Sequence, residues 1–458
     1  MRPATADTIA LEGVDAAEGL RTLEDLVDEV AFLDRSAFLP ASFQPAVPWL
    51  HHEPVSPLLG PLPPARPARP ARPAPPTSSA APSVAERAVA VAFAPEHGDH
   101  AHQWAAQHGH RLLAPSPAVT ARAADKIDSL PLLAEAGVAV VDHVLIPATG
   151  RQPAETYWPA HWERAVLQRR ENNLIGQGTV ALHERAQLTA ALERWRGRAL
   201  RLSRLVPGMS LTVSACAAAD RTVVSAVSHQ LVGLPELTPG WGTHCGNQLL
   251  APRDLPGGLY TRTRTCARAV GDVLRRHGYR GVFGLDLLVD GDKVAVVEIN
   301  PRFQTVLSLV QAAEARAGLL PSLGLHVLAC LLPTLPPTRS SAQLATPLSQ
   351  FLVHALRTGR LATVPAPGCY RLSASCGLAH VSPAVALNDL PADTALLWPH
   401  ALPGTVHAGD ELVLVQARER VCPLATRPPL GARAAAWTDR IRTLVRADPR
   451  PAGERRHA

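Results

Sequence analysis

Apolar positions along this chain recur with two different periods. Around "GLRTLEDLVDEVAFLD" (19–34) they follow helical spacing. "AVAVAFA" (88–94) is a short continuous apolar run and predicts a buried strand. A helix is expected from Asp99 to near Gly109, and "RLLAP" begins another strand, which is an α/β alternation. From Asp125 the pattern becomes denser. "VLIPA" and "AVLQRR" predict strands, and "RLSRLVPGMSLTVSACAA" predicts two strands around a Pro-Gly break. "TRTRTCARAVGDVLRRHG" predicts a helix whose apolar face holds Cys266, Ala269, Val270, Val273 and Leu274, with Gly278 as its stop signal. "VLSLVQAAEARAG" and "GLLPSLGLHVLACLL" are helical in pattern. Short strands such as "DELVLVQAR" fill 345–445, closed by a helix at 433–446.

Two proline clusters divide this pattern. The segment 53–83 is proline-rich with Ala-Arg-Pro repeats and predicts an extended, solvated linker. Prolines at 333–337 mark a second boundary. The expected organisation is an N-terminal α/β domain over 1–122, interrupted by the linker, a central domain over 123–340, and a small α+β domain over 341–458.

Composition narrows the class. The chain has 458 residues and is 47% hydrophobic, enough for two or three sizeable cores. No apolar run is long enough for a membrane helix, and acids stand where a signal peptide needs an apolar stretch, so a cytoplasmic protein is expected. Seven scattered cysteines without a C-x-x-C argue against a disulfide scaffold or a zinc site. The net charge of +6 rests on arginine, for only Lys126 and Lys293 are lysines. The arginines form no long stripe and are not interleaved with aromatics, so a nucleic-acid partner is disfavoured. His97, His100, His102, His108 and His110 crowd one region, but their spacing does not converge on one face, and they are expected mostly to face solvent.

The most informative stretch is "GLDLLVDGDKVAVVEINPRFQ" (284–304). If 282–289 and 294–300 pair around a three-residue loop, 291–293, Asp286 lies directly opposite Glu298. One face then carries Leu285, Leu287, Val289, Ala295, Val297 and Ile299. The other carries Gly284, Asp286, Glu298 and Asn300. A two-residue loop would put the two acids on opposite faces. Facing acids repel one another, and a divalent cation is the simplest compensation. Two carboxylates and an amide are hard oxygen ligands suited to magnesium. Arg302, held beyond Pro301, can bind a carboxylate or phosphate in bidentate fashion.

These residues resemble the metal-binding end of the ATP-grasp enzymes, which include biotin carboxylase-like enzymes, D-alanine–D-alanine ligase-like enzymes and amino-acid ligases. The resemblance runs over about 123–315. It implies an ATP-grasp fold in an α/β (α+β) protein, with a pre-ATP-grasp domain before it and an appended domain after it. It implies that Asp286, Glu298 and Asn300 hold Mg2+ (or Mn2+) on ATP, and that Arg302 holds the acyl substrate or transferred phosphate. "ADKIDSLPLLAEAGVAVVDHVLI" resembles the segment that opens the nucleotide domain, with Lys126 on phosphate, although the family seldom places a residue like Pro131 in that helix. "AVLQRRENNLIGQGTVAL" resembles the strand and glycine-rich flap over the phosphates, with Gln168, Gly176 and Gly178 as contacts. "LRLSRLVPGMSLTV" resembles the hinge that meets adenine through the backbone of Arg204 and Val206. "SHQLVGLPELTPGWGTHCGNQL" resembles the stretch lining the substrate side, with Gln230 and Asn247 as candidates.

Three positions depart from the family pattern. Gln168 stands where many members carry lysine, and Ser203 and Ser210 stand where many carry acids. The resemblance implies an ATP-dependent carboxylate–amine ligase that forms an amide or peptide bond through an acyl phosphate, in specialised biosynthesis. Its partners are a small-molecule carboxylate and amine, an amino acid or peptide, and homodimers are common in the family. The alternatives are a nucleotide-binding scaffold without turnover, which the three departures motivate, and an Arg-rich nucleic-acid binder.

Overall fold

The computed structural model describes residues 8–56, 87–149, 151–171, 178–344, 347–373 and 377–446. Most of the proline-rich segment, from residue 57 on, lies outside the described residues. The chain forms two compact units. The first comprises 1–230 and 249–346, the second 231–248 and 347–458.

The first unit opens with β1 (Thr8–Val14) and a helix over Ala16–Leu26. Asp15 caps that helix, accepting from the backbone N–H groups of Ala17 and Glu18. The helical pattern expected through residue 34 stops early. Val27 turns extended, and Glu29–Asp34 is strand β2. Its run of buried apolar residues suits a strand covered on both faces. Strands β3 (Leu50–Pro54), β4 (Ala88–Ala92) and β5 (Arg111–Leu112) complete a parallel sheet in the order β3-β2-β4-β5. The expected helix is His100–His108, ended by Gly109 at φ 68°. The histidines around it are less solvent-facing than their spacing suggested. His108 stacks on Trp104, His97 lies 3.3 Å from Glu96, and His110 lies 3.7 Å from Glu29.

Pro131 fits without penalty. Its helix, Leu130–Glu135, starts one residue earlier, so the ring sits in the first turn, where no backbone N–H is needed. An antiparallel sheet follows in the order β6-β9-β7-β8, built from β6 (His143–Ile146), β7 (Ala165–Arg169), β8 (Thr179–Leu182) and β9 (Leu200–Arg204). Trp158, Trp162, Leu167, Leu188 and Leu202 fill its core.

Strands β10 (Met209–Ala217) and β11 (Thr222–Val232) follow, then β12 (His244–Leu249). After the helix Leu259–Arg276 come β13 (Gly281–Asp290) and β14 (Lys293–Asn300). In the first unit, β14, β13, β10 and β11 are successive antiparallel neighbours. The long helix buries Thr263, Ala267, Val270, Val273 and Leu274, while Cys266 and Ala269 are only half-buried, so its core face is turned from the expected one. Helices Leu307–Arg316 and Ser322–Leu331 follow as patterned. Strand β15 (Thr338–Leu344) pairs with β1.

The second unit is mostly antiparallel strand around a core that includes Leu237, Phe351, Val413, Val415 and the fully buried Trp437. Its closing helix is Ala432–Arg442. The expected extension to 446 is instead a short strand, Val445–Arg446.

Candidate functional site

The β13–β14 hairpin turns in two residues, not three: Asp290 pairs with Lys293, and Gly291 takes φ 60°. A regular two-residue hairpin would put Asp286 and Glu298 on opposite faces. They are nevertheless direct partners, because the register shifts after Asp286, where Leu287 pairs with Val296 and Val297 is left over. This β-bulge restores the facing arrangement. Its two flanks are held from outside the hairpin. The Val296 N–H donates to the Ala139 carbonyl at 2.8 Å, and Arg201 donates to the Val297 carbonyl at 3.1 Å. The bulge also changes the core face of β14. Val296 and Ile299 are buried, whereas Ala295 and Val297 are only half-buried.

Asp286 is the centre of the polar face. Thr212, its partner on β10, donates to Oδ1 at 2.8 Å. Asn300 Nδ2 and Gln230 Nε2 donate to Oδ2 at 3.0 and 3.3 Å, and Gln304 Nε2 reaches Oδ1 at 3.5 Å. Burial and the adjacent Glu298 charge push the Asp286 carboxyl up to about 6, against the pull of the Thr212 and Gln230 hydrogen bonds. Glu298 shifts the other way. Burial pushes it up, but the Lys126 ammonium, 3.0 Å away, outweighs that together with Arg302 and Arg201, and its carboxyl is lowered. One acid is thus held as the anion and the other drawn toward neutrality, the pattern expected of like charges forced together.

Arginines flank the pair on two sides. Arg201 is 1% exposed, donates to Ser203 Oγ at 3.1 Å, and is lowered by burial, with the Glu298 charge opposing. Arg302 donates to Asn300 Oδ1 and to the Phe303 carbonyl, both at 3.1 Å. Its Nε lies 3.1 Å from Glu96, which follows β4. Sequence reasoning missed Thr212, Gln304, Arg201 and Glu96. Only Arg201 left a trace, as a charged residue inside the alternating strand pattern "LRLSRL".

The remaining expected contacts are distributed as follows. Gln168 is buried on β7, paired with Thr179 and Arg201 in the ladder. Gly178 has φ 80°, and its carbonyl accepts from the Arg169 N–H, while Gly176 lies outside the described residues. Arg170, two residues after Gln168, is tied to Asp125 and Asp128 at 2.6 and 2.7 Å. At the hinge, the Arg204 N–H is already spent on the Asp142 carbonyl. Val206 is half-buried beside it. Asn247 belongs to the second unit, where its amide lies 2.8 Å from His244 Nε2.

Asp286, Glu298 and Asn300 fit a magnesium ion on donor chemistry. Their oxygens are hard, two carboxylates plus phosphate oxygens is the ion's usual company, and a divalent cation would relieve the repulsion that raises Asp286. Among the described residues, no group of three or more His, Cys, Asp or Glu is arranged to hold a metal, so the set is two acids and an amide. No helix among the described residues is long and apolar enough to cross a membrane.

Comparison with known proteins matches residues 123–306 to the family described as ATP-grasp domain. N5-carboxyaminoimidazole ribonucleotide synthase from Synechococcus elongatus is 28% identical over 192 residues, covering 41% of this chain and 45% of that protein. The match therefore spans about half of that relative's length. Two solved structures share the fold. N5-carboxyaminoimidazole synthase from Aspergillus clavatus, in complex with ADP and 5-aminoimidazole ribonucleotide, has a TM-score of 0.55 at 13% identity, covering 92% of this chain and 99% of that one. L-amino acid ligase from Bacillus licheniformis has a TM-score of 0.53 at 11% identity, covering 86% and 93%.

Proposed function

We propose, from the match of residues 123–306 to the ATP-grasp domain family, that this protein is an ATP-dependent carboxylate–amine ligase. The observation that carries the reading is the facing pair Asp286–Glu298, joined by Asn300 and bordered by Lys126 and Arg302. A carboxylate substrate attacks the terminal phosphate of ATP, giving an acyl phosphate and ADP, and an amine then displaces phosphate to form an amide or peptide bond. Asp286, Glu298 and Asn300 would hold magnesium, which would supply neutralisation of phosphate charge. Lys126, Gln168 and Gly178 hold the phosphates, the chain around Arg204 and Val206 receives adenine, and Arg302 steadies the acyl phosphate. Positioning and charge neutralisation are what this chemistry needs from a protein, and no nucleophilic side chain is required. Gln230 tunes Asp286. Small carboxylates and amines are the partners, and a specialised biosynthetic role accords with Gln168, Ser203 and Ser210.

The test is isothermal titration of ATP with and without magnesium, on the wild type and on Glu298→Ala. Binding that requires magnesium and weakens about 100-fold or more in the variant is the expected result. Equal binding in both proteins would remove the metal hairpin and the ligase reading with it. A nucleotide-binding scaffold without turnover is the second reading. It is favoured by the saturation of the site, since Asp286 already accepts from four side chains and Lys126 is committed to Glu298. That reading expects ATP binding with no ADP release on any acid and amine.

A further inference from the structure

Strand β4 ends at Ala92, and the chain after it runs to the far end of the hairpin. The Phe303 N–H donates to the Phe93 carbonyl at 3.1 Å, and Phe303 packs edge-on against Phe32 of β2 at 5.5 Å. Glu96 is thereby placed at the carboxyl end of a parallel sheet, where α/β proteins bind their ligands. Its side chain is 8% exposed and lies 3.1 Å from Arg302 Nε and 3.3 Å from His97 Nε2. Neither contact is aligned as a hydrogen bond. Both Glu96 oxygens, His97 Nε2, Arg302 Nε and Gln304 Oε1 are buried without a hydrogen-bond partner among the described residues. Buried polar atoms are nearly always satisfied, and the four on the adjoining residues Glu96, His97 and Arg302 point to a missing polar ligand.

The charges restrict what that ligand is. Arg302 has five N–H donors. One faces Glu96, one goes to the Phe303 carbonyl and one to Asn300 Oδ1, leaving one on each terminal nitrogen without a partner among the described residues. A plain anion that takes these two meets the Glu96 charge beside it. An anion that displaces Glu96 takes its arginine from a buried carboxylate and leaves only His97 beside it, which is destabilising. A ligand carrying its own cation a few bonds from its carboxylate satisfies both groups.

We propose that the substrate bound at Arg302 is an amino acid in its zwitterionic form, with its carboxylate on the free Arg302 N–H groups and its ammonium on Glu96. The assignment rests on the ligase reading and selects within it. It makes Glu96 a substrate-binding residue, and it excludes an inorganic or purely anionic acid from this position.

The experiment measures ADP release at saturating magnesium-ATP, with hydroxylamine as the trapping amine, on the twenty L-amino acids and on their N-acetyl derivatives. An amino acid is expected to support turnover, with its N-acetyl form worse in kcat/KM by about 50-fold or more. Glu96→Gln is expected to raise the amino-acid KM about tenfold or more and to erase most of that preference, while Glu96→Asp keeps it. The Kd for ATP, unchanged in both variants, shows that they fold. N-acetyl acids working as well as free amino acids, or a preference that survives Glu96→Gln, overturns the assignment and leaves the ligase reading standing. ATP binding without ADP release from either panel sinks the ligase reading, and this assignment with it.

Discussion

Two buried carboxylates in the same compact unit shift in the same direction for different ends. Asp286 is pushed up to about 6, and Glu314, in the helix Leu307–Arg316, to about 7. In both, burial is the leading cause. Glu314 is answered only by neutral donors. Ser225 Oγ and Ser322 Oγ donate to Oε1 at 2.8 Å, and the Ser322 backbone N–H donates to Oε2 at 2.7 Å. That closes the start of the helix Ser322–Leu331, a structural duty. Asp286 also has neutral donors, but it faces a second acid and stands in the field of Arg302. A shifted carboxyl is therefore not in itself a functional marker. The distinguishing feature is a like charge across the strand, with cations placed around the pair.

The largest effects should separate the two acids completely. Asp286→Ala is expected to lower ATP-dependent turnover about 100-fold or more, because an electrostatic ligand of the reacting phosphates is lost. Glu314→Ala should leave the ATP Kd unchanged and lower unfolding stability by roughly 2–4 kcal/mol, since three buried donors lose their acceptor. Urea denaturation alongside ATP titration reads both. A Glu314 variant that loses ATP affinity at unchanged stability would erase the distinction.

How much of this was legible beforehand follows the range of each contact. Asp286, Glu298, Asn300 and Arg302 lie in one local motif, and their chemistry is readable from spacing. Lys126 is readable by resemblance, and its ion pair with Glu298 gives it a partner in the fold. The reason the acids face each other was not readable. It depends on a bulge at Val297 held from Ala139 and Arg201, both far from the hairpin in sequence.

 Local periodicity carries no information about contacts of that range. Glu96 was missed for the same reason, since only the fold brings the end of β4 to Arg302. The early end of the first helix is a different case: "EVAFLD" satisfies either period, and parallel pairing on both sides decides for strand.

A smaller effect tests the structural acid by pH. The folded-state value of Glu314, about 7, lies above its ordinary 4.5. The folded protein therefore holds this proton where the unfolded chain has released it. The resulting stability is fully present below pH 4.5 and is lost as pH rises through about 7. Glu314→Gln removes that dependence. Its unfolding free energy is expected to be flatter than wild type across this window, by on the order of 1–3 kcal/mol. Parallel curves for the two proteins would show that Glu314 is not the group being titrated.

The smallest predicted effect asks whether Gln230 touches substrate or only Asp286. Its bond to Asp286 Oδ2 is long, 3.3 Å, and shares that oxygen with Asn300 at 3.0 Å. Gln230→Leu removes one donor to the charged form, so the Asp286 carboxyl rises further. Protons then compete better for a site that must be ionised to bind a cation. Magnesium-ATP affinity is expected to weaken by roughly three- to tenfold at pH 6 and by less than about twofold at pH 8. Stability should change by no more than about 1 kcal/mol. Equal weakening at both pH values would mean that Gln230 acts by direct contact with a ligand, and the tuning role assigned to it would be wrong.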